Sequence, residues 1–393
     1  MAIQRDKRGA PAHIMGPRII LLLSVLALML IGFVMIYSTS AVITLAKAGT
    51  EVAVDPMAET LNQIKFAVAG VILALIIWKF VPVSLWRSNA VWVIWAVAFA
   101  LLVITAVAGV GDEEWGARRW LMIGSASLQA SEFAKIALVL VAARLFTDFR
   151  EGQYTVLVFF ALVGLLVLAP VLIILGPQSD LGTAMICVVG IFGSSYRRDR
   201  LMVFMNPWND GEGGFGTGFQ LIHSLYALSG GGLFGVGLGN SHEKYLYLTQ
   251  ADTDFIFAII GEELGLVGAA VVIALFLLFL YAGTRIAQSS PDNFGTMVAG
   301  GCTIMIAFQA FLNIAMVIGW FPVVGKPLPF ISSGGSSLVA MLIMVGIILS
   351  VSRGAEAPTI YDRRRADLRV VRATNGAPPP SRGGRSSSSR GRR

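Results

Sequence analysis

Apolar runs of about 20 residues recur along almost the whole of this 393-residue chain, each long enough to cross a ~30 Å hydrocarbon core as a helix. A helix satisfies its own backbone groups in lipid, where exposed loops and open strands cannot. The candidate spans are Ile19–Tyr37, Leu61–Phe80, Ala90–Ala108, Ser131–Phe146, Tyr154–Leu175, Leu181–Gly193, Phe255–Tyr281, Phe294–Phe321 and Ser336–Val351. Charged residues make up 13% of the chain, against about 25% in soluble domains. The expected fold is an all-α polytopic membrane protein.

Charge in the joins sets the orientation. The short joins Lys79–Arg87 and Arg144–Glu151, and the join holding Arg285, carry basic residues, whereas Lys47–Glu59 and Gly111–Glu114 are net acidic. Basic joins stay in the cytoplasm. On that rule residues 1–17, with Arg5, Lys7 and Arg8, form a cytoplasmic segment ahead of a membrane domain over 18–352. Ala46-Lys47-Ala48 looks like a cleavage site, but the preceding run exceeds the ~7–15 apolar residues of a signal peptide. From Arg353 onward there are 11 Arg and 3 acids, a net +8, which leaves the rest at −1 from 19 basic and 20 acidic residues. The basicity belongs to this tail, 353–393, which from Ala373 is Pro, Ser, Gly and Arg and is expected to be disordered. Both termini inside requires an even number of crossings, yet nine segments are readable. Leu181–Gly193 is the weak one, only about 20 Å as a helix.

Four polar clusters gather on the outer side of that topology. Gly116-Ala117-Arg118-Arg119-Trp120 precedes Gln129-Ala130-Ser131-Glu132, and Lys135 follows. Glu132 and Lys135 share a helix face at three-residue spacing, and guanidinium groups suit phosphate oxygens; a local ion-pair network reads equally well. Gln178-Ser179-Asp180 opens Leu181–Gly193, where an acid also simply favours the helix dipole. The stretch of about 201–254 is rich in glycine, with Ser229-Gly230-Gly231-Gly232, Gly235, Gly237 and Gly239 allowing close backbone approach to a ligand. It ends on Asp252-Thr253-Asp254 at the lip of an apolar run that carries Glu262 and Glu263 two turns on. These carboxylates cap the helix, or they form a reactive mouth. Pro327–Ser337, preceded by Lys326, reads as irregular backbone at membrane depth, which survives where it lines a cavity. Cys187 and Cys302 lie in apolar runs, and three histidines (His13, His223, His242) are too scattered for a metal cluster.

In this order the clusters resemble the SEDS family (shape, elongation, division and sporulation). The residues that carry the resemblance are Gly116–Trp120, Gln129–Lys135, Gln178–Gly182, Asn206–Trp208, Thr253–Gly265 and Pro327–Ser337. The loop words SLYAL, GVGLGNS with Lys244 after it, and FIFAIIGEELG are similar to the cell-division branch, with the elongation branch next. The resemblance implies about ten helices and a peptidoglycan glycosyltransferase that polymerises lipid II outside the cytoplasmic membrane, at the division septum. A class B penicillin-binding protein and other division proteins would be its partners, with membrane lipids around it and no nucleic acid. Asp254 falls on the family's catalytic position as general base, for an inverting attack with undecaprenyl pyrophosphate leaving. Arg118, Arg119, Lys135 or a divalent cation (Mg or Mn) would neutralise that pyrophosphate, with no organic cofactor. Trp120, Gln129, Ser131, Glu132, Gln178, Asp180, Gln220, Lys244, Glu262, Lys326, Ser332, Gly334, Gly335 and Ser336 would line the substrate path. The chain departs from the family pattern at Ala130, Ser179, Thr249, Gln250 and Asp252, the last placed to raise the pKa of Asp254 by repulsion. The segment joining the family's sixth and seventh helices is cut out between Gly190 and Tyr196.

A transporter or lipid flippase would also use many helices with carboxylates inside them, but would need charged groups on both sides of its path. A scaffold that recruits a penicillin-binding partner is the third class. The tail could bind anionic inner-leaflet lipid, at ~1 kcal/mol per basic residue.

Overall fold

The computed structural model describes residues 12–47, 57–112, 117–123, 126–175, 206–208, 218–245, 247–248, 250–323 and 325–354. Its helices are α1 (Ala12–Lys47), α2 (Met57–Phe80), a short α3 (Val83–Arg87), α4 (Ala90–Ala108), α5 (Ala130–Arg150), α6 (Val156–Val163), α7 (Ala169–Leu175), α8 (Phe219–Gly230), α9 (Ile256–Gln288), α10 (Asn293–Val317) and α11 (Gly335–Gly354). A π-turn over Gly164–Leu168 joins α6 to α7 just ahead of Pro170, whose ring cannot continue the regular hydrogen-bond ladder. Among the described residues seven helices are long and apolar enough to cross a membrane, α6 and α7 counting as one. α5 has the length but carries Glu132, Lys135, Arg144, Asp148 and Arg150; the first two and Asp148 are fully enclosed by neighbouring helices.

One end of the bundle collects the basic joins. There Arg18 of α1 donates to Ser352 of α11 at 2.7 Å, Arg87 pairs with Glu151 at 2.5 Å, and Arg144 pairs with Asp148 at 2.7 Å. The start of α1 and the end of α11 therefore lie at this same basic end. The opposite end carries the polar clusters and is called the site end. Ile174 of α7 packs with Leu102, Ala130 and Ala134 at that end, and Ser224 of α8 donates to the Val317 carbonyl, 3.0 Å, there too. The end of α7 and the start of α8 thus both lie at the site end. The expected span Leu181–Gly193, the interval Gly190–Tyr196, the N-terminal segment 1–11 and the tail from 355 lie outside the described residues.

Helices close on each other through small residues, which let backbones approach in lipid. A Cβ on Gly346 of α11 would sit 2.8 Å from the Ala74 backbone of α2. Outward faces are apolar: Leu23, Leu26 and Leu30 on α1, Ile72 and Leu75 on α2, Leu277 and Leu278 on α9 are all exposed.

Three differences from expectation stand out. First, the bundle is helical as read, but a three-stranded antiparallel sheet sits at the site end: β1 (Val110–Asp112), β2 (Ala117–Ile123) and β3 (Ala126–Leu128), in that order, with Val110 opposite Trp120 and Leu121 opposite Leu128. Trp120 and Ile123 are strand-favouring types, in a short stretch hidden between helical runs. Second, α1 begins seven residues before Ile19 and runs through Pro17 in its second turn, where the missing N–H leaves one carbonyl of the first turn without its helical donor. Third, α9 is not one straight rod. Gly265 has φ 68° and ψ −168° inside it, a conformation only glycine enters readily.

Candidate functional site

The site end holds two buried polar networks, and they divide the expected site residues between them. The first surrounds Glu132 near the start of α5. Its carboxylate takes Lys135 at 2.8 Å, Lys326 at 3.3 Å and the Ser337 hydroxyl at 3.0 Å, and all three charged side chains are fully buried. Lys135 also donates to Gln309 Oε1 at 2.5 Å. Helical spacing puts Glu132 and Lys135 on one face; the surrounding helices then exclude water from it. Charges at this depth survive through pairing and hydrogen bonding, since isolated burial costs far more than it returns.

Around this core the irregular segment 325–334 is stitched down on every side. Gln309 Nε2 donates to the Pro327 carbonyl (3.0 Å), and Asn313 Nδ2 to the Lys326 carbonyl (2.7 Å). Gln63 of α2 donates to the Ser332 carbonyl (3.0 Å) and accepts from the Gly334 amide (3.2 Å). Ser333 donates to Glu59 (2.6 Å), and Ser336 to the Ser127 carbonyl of β3 (2.9 Å), while the Gln129 amide donates back to Ser336 (3.3 Å). Phe330, at φ 67°, turns inward against Phe279, and Gly335 faces the Phe66 ring. Non-helical backbone is thus held at membrane depth with its polar groups engaged, as lipid requires.

Asp254 is tied to the same segment. Its carbonyl accepts from Asn313 Nδ2 at 2.8 Å, the same amide group that holds Lys326. Thr253 O accepts from Ser332 (2.6 Å), and Asp252 O from the Ser333 amide (2.9 Å). The Asp254 carboxylate is half-buried, with Oδ2 3.4 Å from where a Cβ of Gly325 would be. The cap position of α9 is Phe255, with no side-chain cap bond, so Asp254 stands one residue outside the helix. The turn leading to it is tightened by Gln250 at φ 60°. Burial, helped by the charge of Glu59, holds the Asp252 carboxyl above the usual carboxylate range, against a backbone hydrogen bond that lowers it.

The second network lies further along α9. Glu263 pairs with Lys244 at 2.7 Å and accepts from Ser38 of α1 at 2.8 Å. Glu262 accepts from the Ser241 hydroxyl and from the His242 amide, the latter at 2.7 Å. The three carboxylates expected at one helix mouth therefore part: Asp254 faces Gly325, while Glu262 and Glu263 clamp the loop after α8. Lys244 and Glu262 are 3% exposed, and their side chains are engaged inside the protein. The glycine-rich loop also approaches backbone. Cβ atoms on Gly235 and Gly265 would meet Glu263 O at 2.1 Å and Gly235 N at 2.3 Å. The glycines let the loop lie against the break in α9.

The other expected residues fall as follows. Arg119 and Trp120 are half-buried on β2, and Arg118 is on the same strand, its side chain outside the described residues. Gln129, Ser131, Ser332 and Ser336 are buried, Gly334 and Gly335 are beside Gln63 and Phe66, and Gln220 is half-buried on α8. Gln178 and Asp180 lie outside the described residues. Sequence reading missed Gln63, Gln309, Asn313 and Glu59. Gln309 and Asn313 carried a usable signal: two amides four residues apart on one face of an apolar run.

The chain is similar to known proteins in sequence and in overall fold. The sequence matches the family of FtsW, RodA and SpoVE, described as cell cycle protein, over residues 18–193 and 190–357. The two stretches meet at 190–193, inside the Gly190–Tyr196 interval. Stage V sporulation protein E of Bacillus subtilis is 38% identical over 86% of this chain and 97% of its own length. A probable peptidoglycan glycosyltransferase FtsW of Trichlorobacter lovleyi is 36% identical over 86% of this chain and 93% of its own. The crystal structure of Thermus thermophilus RodA, a rod shape determining protein, superposes with TM-score 0.60 at 29% identity, covering 85% of this chain and 95% of that one. A chain of a peptidoglycan synthase complex shares the fold, TM-score 0.65 at 24% identity.

Proposed function

We propose, from the premise that this chain belongs to the FtsW/RodA/SpoVE family of cell cycle proteins, that it is a peptidoglycan glycosyltransferase that polymerises lipid II, with Asp254 as its base. The observation that carries the reading is the arrangement at Gly325-Lys326: a half-buried carboxylate on one side of that dipeptide, and a buried Lys326–Glu132–Lys135 cluster on the other.

The chemistry asks for little more. A sugar hydroxyl attacks the anomeric carbon of a lipid-linked glycan, the carbon–oxygen bond to pyrophosphate breaks, and the hydroxyl proton passes to Asp254. One base serves such an inverting displacement and contributes about 10²–10⁴-fold. Pyrophosphate needs charge neutralisation as it leaves, a role for the guanidinium groups of Arg118 and Arg119 on β2; Lys135 and Lys326 are enclosed and paired with Glu132, and hold the segment beside Asp254 in place. A divalent cation (Mg or Mn) bound with the pyrophosphate would supply the same neutralisation; among the described residues no three of His, Cys, Asp and Glu form a cluster of their own. The basic joins at the opposite end support a site end outside the cytoplasm, where lipid II would be consumed. The names of the relatives support division or sporulation wall synthesis at a septum, with a class B penicillin-binding protein as cross-linking partner.

The test is to give fluorescent lipid II to the purified protein in vesicles with its class B partner. Glycan strands on gels support the polymerase. Lipid II that changes leaflet without lengthening overturns it in favour of a flippase.

A further inference from the structure

The loop after α8 ends in an exposed apolar tip. Phe234 is 81% exposed and Leu233 62%. The tip is pinned beside the break in α9: the amides of Leu266 and Val267 donate to the Gly232 and Leu233 carbonyls at 2.9 and 3.1 Å. On the other flank Gly235 donates to Gly231 (2.8 Å), Val236 to Glu262 (2.9 Å) and Gly237 to Glu263 (3.1 Å). Backbone groups around the tip are thus engaged within the protein, the condition for meeting lipid.

Helix lengths fix the height of the tip. Gly265 stands 23 residues above Gln288 on α9, about 34 Å of helix. Val317 stands 24 residues above Asn293 on α10, which follows α9 after a short turn, about 36 Å. Trp320, 75% exposed, lies just beyond Val317. Both levels coincide with the outer edge of a ~30 Å hydrocarbon core, the depth at which aromatic side chains gather. Leu266 and Val267 beside the tip are themselves exposed, and they head the apolar face of α9 that continues through Val271 and Leu277. The tip is continuous with that lipid-facing surface.

We propose that Leu233–Phe234 is a bilayer anchor whose side chains insert among the acyl chains of the leaflet at the site end. Through its bonds to Leu266 and Val267 the anchor holds the break in α9 at the membrane boundary. It thereby fixes the height of the half-helix that starts at Ile256, just after Asp254. The consequence for a lipid-tethered substrate rests on the proposed function; the insertion itself does not.

The experiment places nitroxide labels on Phe234→Cys, Asn240→Cys and Leu277→Cys, each with Cys187 and Cys302 replaced by alanine. The labelled full-length chains are reconstituted in phosphatidylethanolamine–phosphatidylglycerol vesicles. Power saturation then compares access by oxygen and by an aqueous nickel chelate. Expected is an oxygen-dominated label at 234, as at the lipid-facing 277, against a nickel-dominated label at the exposed 240. A label at 234 as open to nickel as that at 240 overturns the proposal. So does a label shielded from both reagents, which would mean that protein covers the tip. No outcome depends on turnover, so a failed anchor is distinguishable from a failed polymerase.

Discussion

Lys244 separates two accounts of the loop after α8. Sequence reading places it on the substrate path; the structure buries it against Glu263, with side-chain exposures of 1% and 0%. Its Nζ also donates to Ser38 at 3.0 Å, so three segments, α1, the loop and α9, meet at one pair. Lys244→Met removes the cation and leaves Glu263 enclosed with Ser38 alone. Breaking a buried pair from one side costs about 3–5 kcal/mol. That is a fall in melting midpoint on the order of 10 °C at the 2–4 °C per kcal/mol of mid-sized domains. Replacing both partners, Lys244→Met with Glu263→Leu, removes the stranded charge and should return to within about 1–2 kcal/mol of the native protein. Thermal melts of the four proteins of this cycle in one detergent give the coupling directly. Additive losses would refute the pairing argument. A Lys244→Met protein with native melting and a raised KM for lipid II would return Lys244 to the substrate path.

Three further outcomes follow from the same geometry. Asn313→Leu strands the Asp254 and Lys326 carbonyls, each worth about 1–3 kcal/mol; kcat should fall at least about tenfold with KM little changed, and steady-state kinetics on lipid II checks it. Asp252 has a folded pKa raised above 3.8, so the folded state binds its proton more tightly than the unfolded chain. Stability should therefore decline as pH rises from 3.8 through the folded pKa and be flat above it, and Asp252→Asn should flatten that slope in melts across pH. Gly265→Ala forces a left-handed residue, about 1–3 kcal/mol of strain, and drives a Cβ to 2.3 Å from Gly235 N. Limited proteolysis should then cut the 231–239 loop faster.

Much of this molecule was legible because lipid simplifies the code. Hydrophobic length alone places α2, α4, α9, α10 and α11 to within a few residues at most ends. The joins with Arg87, Arg144 and Arg285 gather the basic end. Glu132 with Lys135 was readable from helical spacing. What stayed hidden depends on contacts distant in sequence. Nothing local tells that Lys326 reaches Glu132, or that Glu262 and Glu263 turn from Asp254 to Ser241 and Lys244. The glycines at 235 and 237 announce close approach without naming what approaches, and here it is the backbone of α9. The sheet at β1–β3 was masked by its length, three short strands between long helical runs.

The most direct measurement is the rate of lipid II polymerisation by the native protein and by Asp254→Asn, each with its class B partner and each checked for the same melting midpoint. Asparagine keeps the size of the side chain and cannot take the proton. A fall of at least about 10²-fold at unchanged melting is the predicted result. Equal turnover in both would contradict the account and move the base away from Asp254.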